Sequence, residues 1–206
     1  MNFNEEINYL ENVAFDEKYV IKKGKVPILF TAPHTMQQVL ESGIKFGETY
    51  TKAIALCLNK HFDVSCMIKV KDTGLDSNRD NHDDFKKLLL EFVKENDIKL
   101  VIDLHGARDD REFDVELGTL NNLTADFSTI REFAEAFLEN GISKVEYNNP
   151  FKGGAITQYL FNLKNVDVIQ LEINGKYRNS DNLDKLKLLC ESLGNFIEQY
   201  ANYFNK

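Results

Sequence analysis

Short apolar runs alternate with longer amphipathic ones along this chain, and that alternation constrains its fold more than any other feature. Runs with the character of buried strands lie at Val26–Ala32, Val64–Val70, Lys99–Leu104, Val115–Leu120 and Val166–Ile173. Helical patterns fall between them. From Asp84 to Glu95 the residues Phe85, Leu88, Leu89, Phe92 and Val93 recur at helical spacing and make one apolar stripe. Other helices are predicted from about Glu48 to His61, from about Phe127 to Asn140 with Gly141 as the stop, and from Ser180, an N-cap residue type, through Leu189 and Phe196 to Tyr200. Strands alternating with helices of this length predict an α/β fold with a mixed, mainly parallel sheet flanked by helices and an antiparallel pair around Val115–Leu120. Repeats, low-complexity tracts and linkers are missing, so residues 1–206 read as a single domain.

Composition narrows the function. With 33 acidic against 25 basic side chains the formal net charge is -8, which repels a polyanion, so nucleic acid is not an expected partner. No run approaches the roughly 18–20 apolar residues needed to span a bilayer, and the first residues lack the basic start and apolar run of a secretory signal. No membrane partner and a cytoplasmic location are therefore expected. Oligomeric state has no signature here. Cys57, Cys66 and Cys190 are scattered without CxxC spacing, so a metal site would have to draw on histidines and carboxylates.

Such groups stand in a pattern. His34 closes PILFTAPH, His105 closes LVIDLH, and Glu172 lies at the close of VDVIQLE, each at the carboxyl end of a predicted strand. In an open α/β sheet the crevice outside those ends holds ligands, so separate strands can deliver all three groups to one edge. Asp103 stands two residues before His105 on the same strand face and can act as acceptor for its imidazole. Each residue also has a plainer reading. Either histidine can anchor a loop, and Glu172 can simply leave its strand into solvent; at an apolar sheet edge its pKa would instead rise toward the range of a general base. Asn78 with Arg79, and Arg108 and Arg111, are candidates for gripping an anionic substrate. Pairing with Asp76, Asp80, Asp109 or Asp110 in solvated loops explains those arginines equally well. The segment Asn149–Gly154 carries a proline and the glycine pair Gly153 and Gly154, followed by Thr157 in an opening helix; it reads as a substrate loop or as an ordinary connection.

In order along the chain, APHT, GETYT, DSNRD, VIDLHGA, NNPFKGGAIT and VDVIQLEINGKYR resemble the N-formylglutamate amidohydrolase family over roughly Pro27 to Arg178. That family is similar to the zinc carboxypeptidases and aspartoacylase-like hydrolases, with a phosphorylase/hydrolase-like fold. The resemblance implies a zinc-dependent hydrolase of the amide bond in a small N-acyl amino acid such as N-formylglutamate. Carried over, His34 and His105 are zinc ligands and Glu172 is the base that activates water. Asn78 and Arg79 resemble the pair that holds substrate carboxylate, with Arg79 or Arg108 orienting it and Gly153, Gly154 and Thr157 in the substrate loop. One departure stands out. The related enzymes take a carboxylate ligand from HxxE, whereas Gln37 stands three residues after His34, and Glu48 is the nearest alternative. A relative that binds carboxylates without catalysis, or a metallopeptidase for short peptides, are the other readings.

Overall fold

A computed structural model of the chain describes residues 2–80 and 82–203. In chain order the strands are β1 (Tyr19–Lys22), β2 (Val26–Ala32), β3 (Gln38–Leu40), β4 (Gly43–Lys45), β5 (Val64–Lys69), β6 (Leu100–Ala107), β7 (Val115–Gly118), β8 (Val145–Tyr147) and β9 (Asp167–Asn174). The helices are α1 (Phe3–Asn12), α2 (Thr51–Phe62), α3 (Asp84–Glu95), α4 (Phe127–Glu139), α5 (Ala155–Leu160) and α6 (Leu183–Ala201). The main sheet runs β1-β5-β2-β6-β9-β7-β8, and β3 and β4 form a separate hairpin. Pairing is parallel from β5 through β2 and β6 to β9, and antiparallel where β1 meets β5 and β7 meets β9. The expected α/β architecture, a mostly parallel mixed sheet flanked by helices, is the observed one. No helix among the described residues is long and apolar enough to cross a membrane.

Strand alternation divides the core into two layers, because successive side chains point to opposite faces. On one face, Phe30, Ile102, Ile169 and Leu171 pack against Ile54 and Leu58 of α2, Phe133 and Phe137 of α4, and Leu189 and Phe196 of α6. Ile7 of α1 joins this layer. On the other face, Leu29, Val101 and Val168 meet Phe85, Leu89 and Val93 of α3 and Ile156 and Leu160 of α5. Each such fully buried side chain contributes about 1.5–3 kcal/mol of transfer free energy. Further along the same face the residues turn polar: Thr31 on β2, Asp103 and His105 on β6, Gln170 and Glu172 on β9 are all buried. The chain leaves β2 for β5 on one side and then crosses to β6 on the other, so the order of strand addition switches sides between β2 and β6 while the two strands stay parallel. This switch point is where ligands bind in such sheets.

Several boundaries differ from the sequence pattern. Strand β6 continues to Ala107, so His105 lies inside it, and Glu172 likewise lies inside β9. His34 sits in the turn two residues beyond β2. Helix α2 begins at Thr51 instead of Glu48 because Tyr50 is left-handed at φ 63°. Strand β7 ends at Gly118, and Leu120, Asn121 and Asn122 form a left-handed turn with φ of 49°, 58° and 66°. Ser180 lies in a single turn of 3-10 helix, and Asn182 instead precedes α6. Helix α1 and strands β1, β3, β4 and β8 were not anticipated.

Candidate active site

The turn after β2 and the segment after β4 are tied together by the Glu48 amide, which donates to the His34 carbonyl at 2.7 Å. The β3–β4 hairpin takes up the intervening residues, so residues fourteen apart in sequence become neighbours. The Glu48 carboxylate lies between two imidazoles, with Oε1 3.0 Å from His34 Nδ1 and Oε2 3.3 Å from His105 Nδ1. The two rings stand 4.9 Å apart between centroids. Gln37, three residues after His34, is exposed.

Each imidazole is supported from behind. His34 Nε2 faces Asp76 Oδ1 at 2.7 Å, and His105 Nε2 faces Asp103 Oδ2 at 3.0 Å. A carboxylate on Nε2 holds a proton at that nitrogen and frees Nδ1 for a metal ion; without the metal, an Nδ1–H is what can donate to Glu48, and Lys45 Nζ also lies 3.0 Å from His34 Nε2. The supports are themselves anchored. Thr31 donates to Asp103 at 2.6 Å, and Lys45 reaches from β4 to Asp76 at 2.9 Å. Fully buried Lys69 holds the Asp76 segment by donating to Leu75 O, Ser77 Oγ and Asp83 Oδ2 at 2.5, 3.1 and 3.1 Å. Beneath Glu48, the Gly106 amide donates to Oε2 at 3.0 Å. Buried Arg178 donates to the carbonyls of Ile173, Thr49 and Ala107 at 3.0, 2.8 and 2.9 Å, locking the strand ends to the start of α2. Gly106 is required there, since a Cβ would meet the Arg178 guanidinium carbon at 2.4 Å.

Charge follows geometry. Burial opposes ionisation of Glu48, but His105 and His34 more than offset it and hold its carboxyl well below the ordinary range. Asp76 is likewise held down, against burial, by His34 and Lys45. Burial opposes a proton on His105, yet Asp103 and Glu48 raise its pKa well above 6.5. The metal-free cluster is thus a protonated imidazole among carboxylates, an arrangement in which a divalent cation can take the proton's place. His34, Glu48 and His105 offer ligand atoms all within 4.8 Å of one another. Two imidazoles and one carboxylate, with imidazole tautomers fixed from behind, fit a zinc ion and leave a fourth position open.

Glu172 is the in-register neighbour of His105 across β6 and β9. It is buried, and burial raises its pKa, with His105 acting in the opposite direction. Gln170 donates to its Oε1 at 2.6 Å. These groups open onto a cleft of about 570 Å³ whose other wall is the loop Pro150–Gly154, with Asn78, Arg108 and Arg111 at its sides. Gly154 lies close against the Asn78 and Gln170 side chains, where an added Cβ would come within 2.6 and 2.8 Å. Asn78 accepts from the Ile156 amide at 3.3 Å, so it braces this loop. Thr157 is buried behind the loop and does not line the cleft.

The structure does not bring Arg79 to the cleft. It is exposed, turned toward Asp80 at 3.7 Å and Ser42 at 3.5 Å, because the short turn carrying it points Asn78 inward and Arg79 out. Arg108 does line the cleft, but its guanidinium is engaged by Asp110 at 3.1 and 2.7 Å, the plainer of its two readings. Asp76, Lys45, Gln170 and Arg178 were not anticipated. Asp76 lay in the DSNRD segment, but nothing local distinguishes it from Asp80.

Residues 79–177 match the N-formylglutamate amidohydrolase family model. The resemblance is thereby borne out over residues 79–177, before which the segments APHT and GETYT lie, and the match is to a family of amide-bond hydrolases. His105 and Glu172 lie within the matched residues, His34 and Glu48 before them. Comparison with curated protein sequences gives no match. Among solved structures, N-formylglutamate amidohydrolase from Ralstonia eutropha JMP134 is similar with a TM-score of 0.72 and 14% identity, over 90% of this chain and 97% of that one. A bacteriophage poly-γ-glutamate hydrolase gives 0.59 and 16%, over 97% and 96%. Succinylglutamate desuccinalase from Vibrio parahaemolyticus gives 0.51 and 15%, over 86% and 58%. At these identities the likeness is one of fold.

Proposed function

We propose that this chain is a zinc-dependent amidohydrolase that cleaves the amide bond of a small N-acyl amino acid such as N-formylglutamate, with His34, Glu48 and His105 holding the metal and Glu172 as general base. The observation that carries this reading is the single constellation: Glu48 within 3.0 Å of His34 and 3.3 Å of His105, and Glu172 in register beside His105. Zinc, when bound by these three side chains, supplies Lewis-acid chemistry, acidifying water and polarising the acyl oxygen. The remaining work falls to the protein. Glu172, buried with its basicity raised by desolvation, takes a proton from the attacking water at its carboxylate and returns it to the departing amine nitrogen. Gln170 holds one Glu172 oxygen, so the base is oriented before substrate arrives. Asp76 and Asp103 keep the histidines in the ligand tautomer. The loop Pro150–Gly154 bounds the substrate on the side opposite the histidines.

Zinc-loaded protein assayed on N-formyl-L-glutamate, other N-acyl amino acids and a short peptide panel tests the reading. Turnover of N-acyl amino acids is expected, and Glu172→Gln should lower kcat about 10²–10⁴-fold while the zinc content stays unchanged. Turnover of peptides alone, or full activity in Glu172→Gln, refutes it.

A further inference from the structure

The loop that walls the cleft rests on β7, on the same face of the sheet that carries Glu172. We propose that Glu116 is a positioning residue for the hydrolysis, tying residues 149–154 to that face so that the wall stands at a fixed place relative to the base. This rests on the reading of the cleft as an N-acyl amino acid site.

Residues 116, 118 and 120 stand at alternate positions along β7 and just beyond it, and each meets the loop. Glu116 Oε1 accepts from the Phe151 amide at 2.7 Å, and the Asn149 amide faces the same carboxyl. At Gly118 the two backbones come so close that an added Cβ would meet Gly153 N at 2.6 Å and Phe151 O at 2.8 Å. The Leu120 amide donates to the Lys152 carbonyl at 2.5 Å. Register sets Glu116 beside Glu172 and Gly118 beside Gln170 across β7 and β9, and residues directly opposite share a sheet face. The bed of the loop and the seat of the base are therefore one surface. What this bed places is the Phe151 ring, which lines the cleft and meets buried Phe113 edge-on at 6.2 Å.

Of these attachments only Glu116 acts through a side chain, and a carboxyl is a costly group to use there. Glu116 is fully buried, the charges that face it from β9 and β8 are those of Glu172 and Glu146, both of its own sign, and its Oε2 has no hydrogen-bond partner among the described residues. Glu6, also buried, is by contrast paired with Lys60 and His61. An apolar side chain would pack at position 116 without that cost but would leave the Phe151 and Asn149 amides without their acceptor. A carboxyl can accept from these amides whether protonated or ionised, so the attachment survives titration. Locally unfavourable groups of this kind are expected where function needs them in place.

The test combines steady-state kinetics of zinc-loaded protein on N-formyl-L-glutamate with amide hydrogen exchange of residues 149–154 in metal-free protein. In Glu116→Met, which keeps the bulk and loses the acceptor, KM should rise about tenfold or more while kcat stays within about threefold, and the Phe151 amide should exchange about tenfold faster or more. Glu116→Gln, which keeps an acceptor, should restore both. Glu116→Ala is a second truncation with the same expectation, and it decides if Glu116→Met does not fold. An unchanged KM or unchanged exchange in the truncated variants, a fall in kcat at constant KM, or a Glu116→Gln that behaves like Glu116→Met overturns the proposal alone. Wild type that turns over no N-acyl amino acid overturns the amidohydrolase reading, and the exchange measurement then decides by itself whether Glu116 holds the loop.

Discussion

Replacing Glu116 by glutamine should make the metal-free protein more stable at alkaline pH. Glu116 is fully buried on β7, in register beside Glu172. Burial pushes its pKa from 4.5 up to about 7; the amides of Phe151 and Asn149 oppose the shift, while Glu172 and Glu146 add to it. The folded state therefore keeps a proton between pH 4.5 and about 7 that the unfolded chain has released. Stability falls as pH rises through that window and levels off above it. At 1.36 kcal/mol per unit the gap amounts to about 3 kcal/mol. Glutamine resembles the protonated acid: its carbonyl can still accept from Phe151, and it carries no charge to desolvate. In urea titrations at pH 5 and pH 8, the variant should gain up to about 3 kcal/mol relative to wild type between the two values. Parallel pH profiles for the two proteins would show that Glu116 ionises normally in its pocket and would refute the argument.

Asp103→Asn places an amide against His105 Nε2, where the carboxylate now lies at 3.0 Å, and removes the charge that fixes the ligand tautomer. Zinc affinity measured by chelator competition should fall about 10–100-fold, and an unchanged affinity would count against His105 as a ligand through Nδ1. Gly106→Ala drives a methyl group against the Arg178 guanidinium, which three carbonyls hold in place. Denaturant unfolding should show a loss of about 1–3 kcal/mol or more, and a neutral result would mean that Arg178 is free to move aside.

Helix α3 was legible because its stripe of Phe85, Leu89 and Val93 repeats at the period of the helix, and Asp83 caps it by accepting from the Phe85 amide at 3.0 Å. Strand β2 matched its predicted span from Val26 to Ala32 for a similar reason, an uninterrupted apolar run bounded by a turn. His105 and Glu172 could be singled out because parallel strands carry their carboxyl ends to one edge, and the register then makes them direct neighbours. Helix α1 was missed: its signal is a capping box between Asn2 and Glu5, and its stripe is short, with Ile7 buried and Phe3 and Leu10 partly buried. The β3–β4 hairpin was missed because three-residue strands leave almost no periodicity.

Local patterns thus determined the layer architecture, the strand-end histidines and the candidate base, since periodicity and strand polarity act over a few residues. The tertiary structure decided the rest. Glu48 reaches the histidines only because the hairpin between them closes back, and Asp76 supports His34 across 42 residues. Arg79 and Arg111, alike as exposed residues in polar loops, are told apart by what each meets: Arg79 turns to Asp80 and Ser42, Arg111 lies over the face of Phe151. A side chain's type is encoded where it stands, but its partners are set by long-range packing, which no short window of sequence contains.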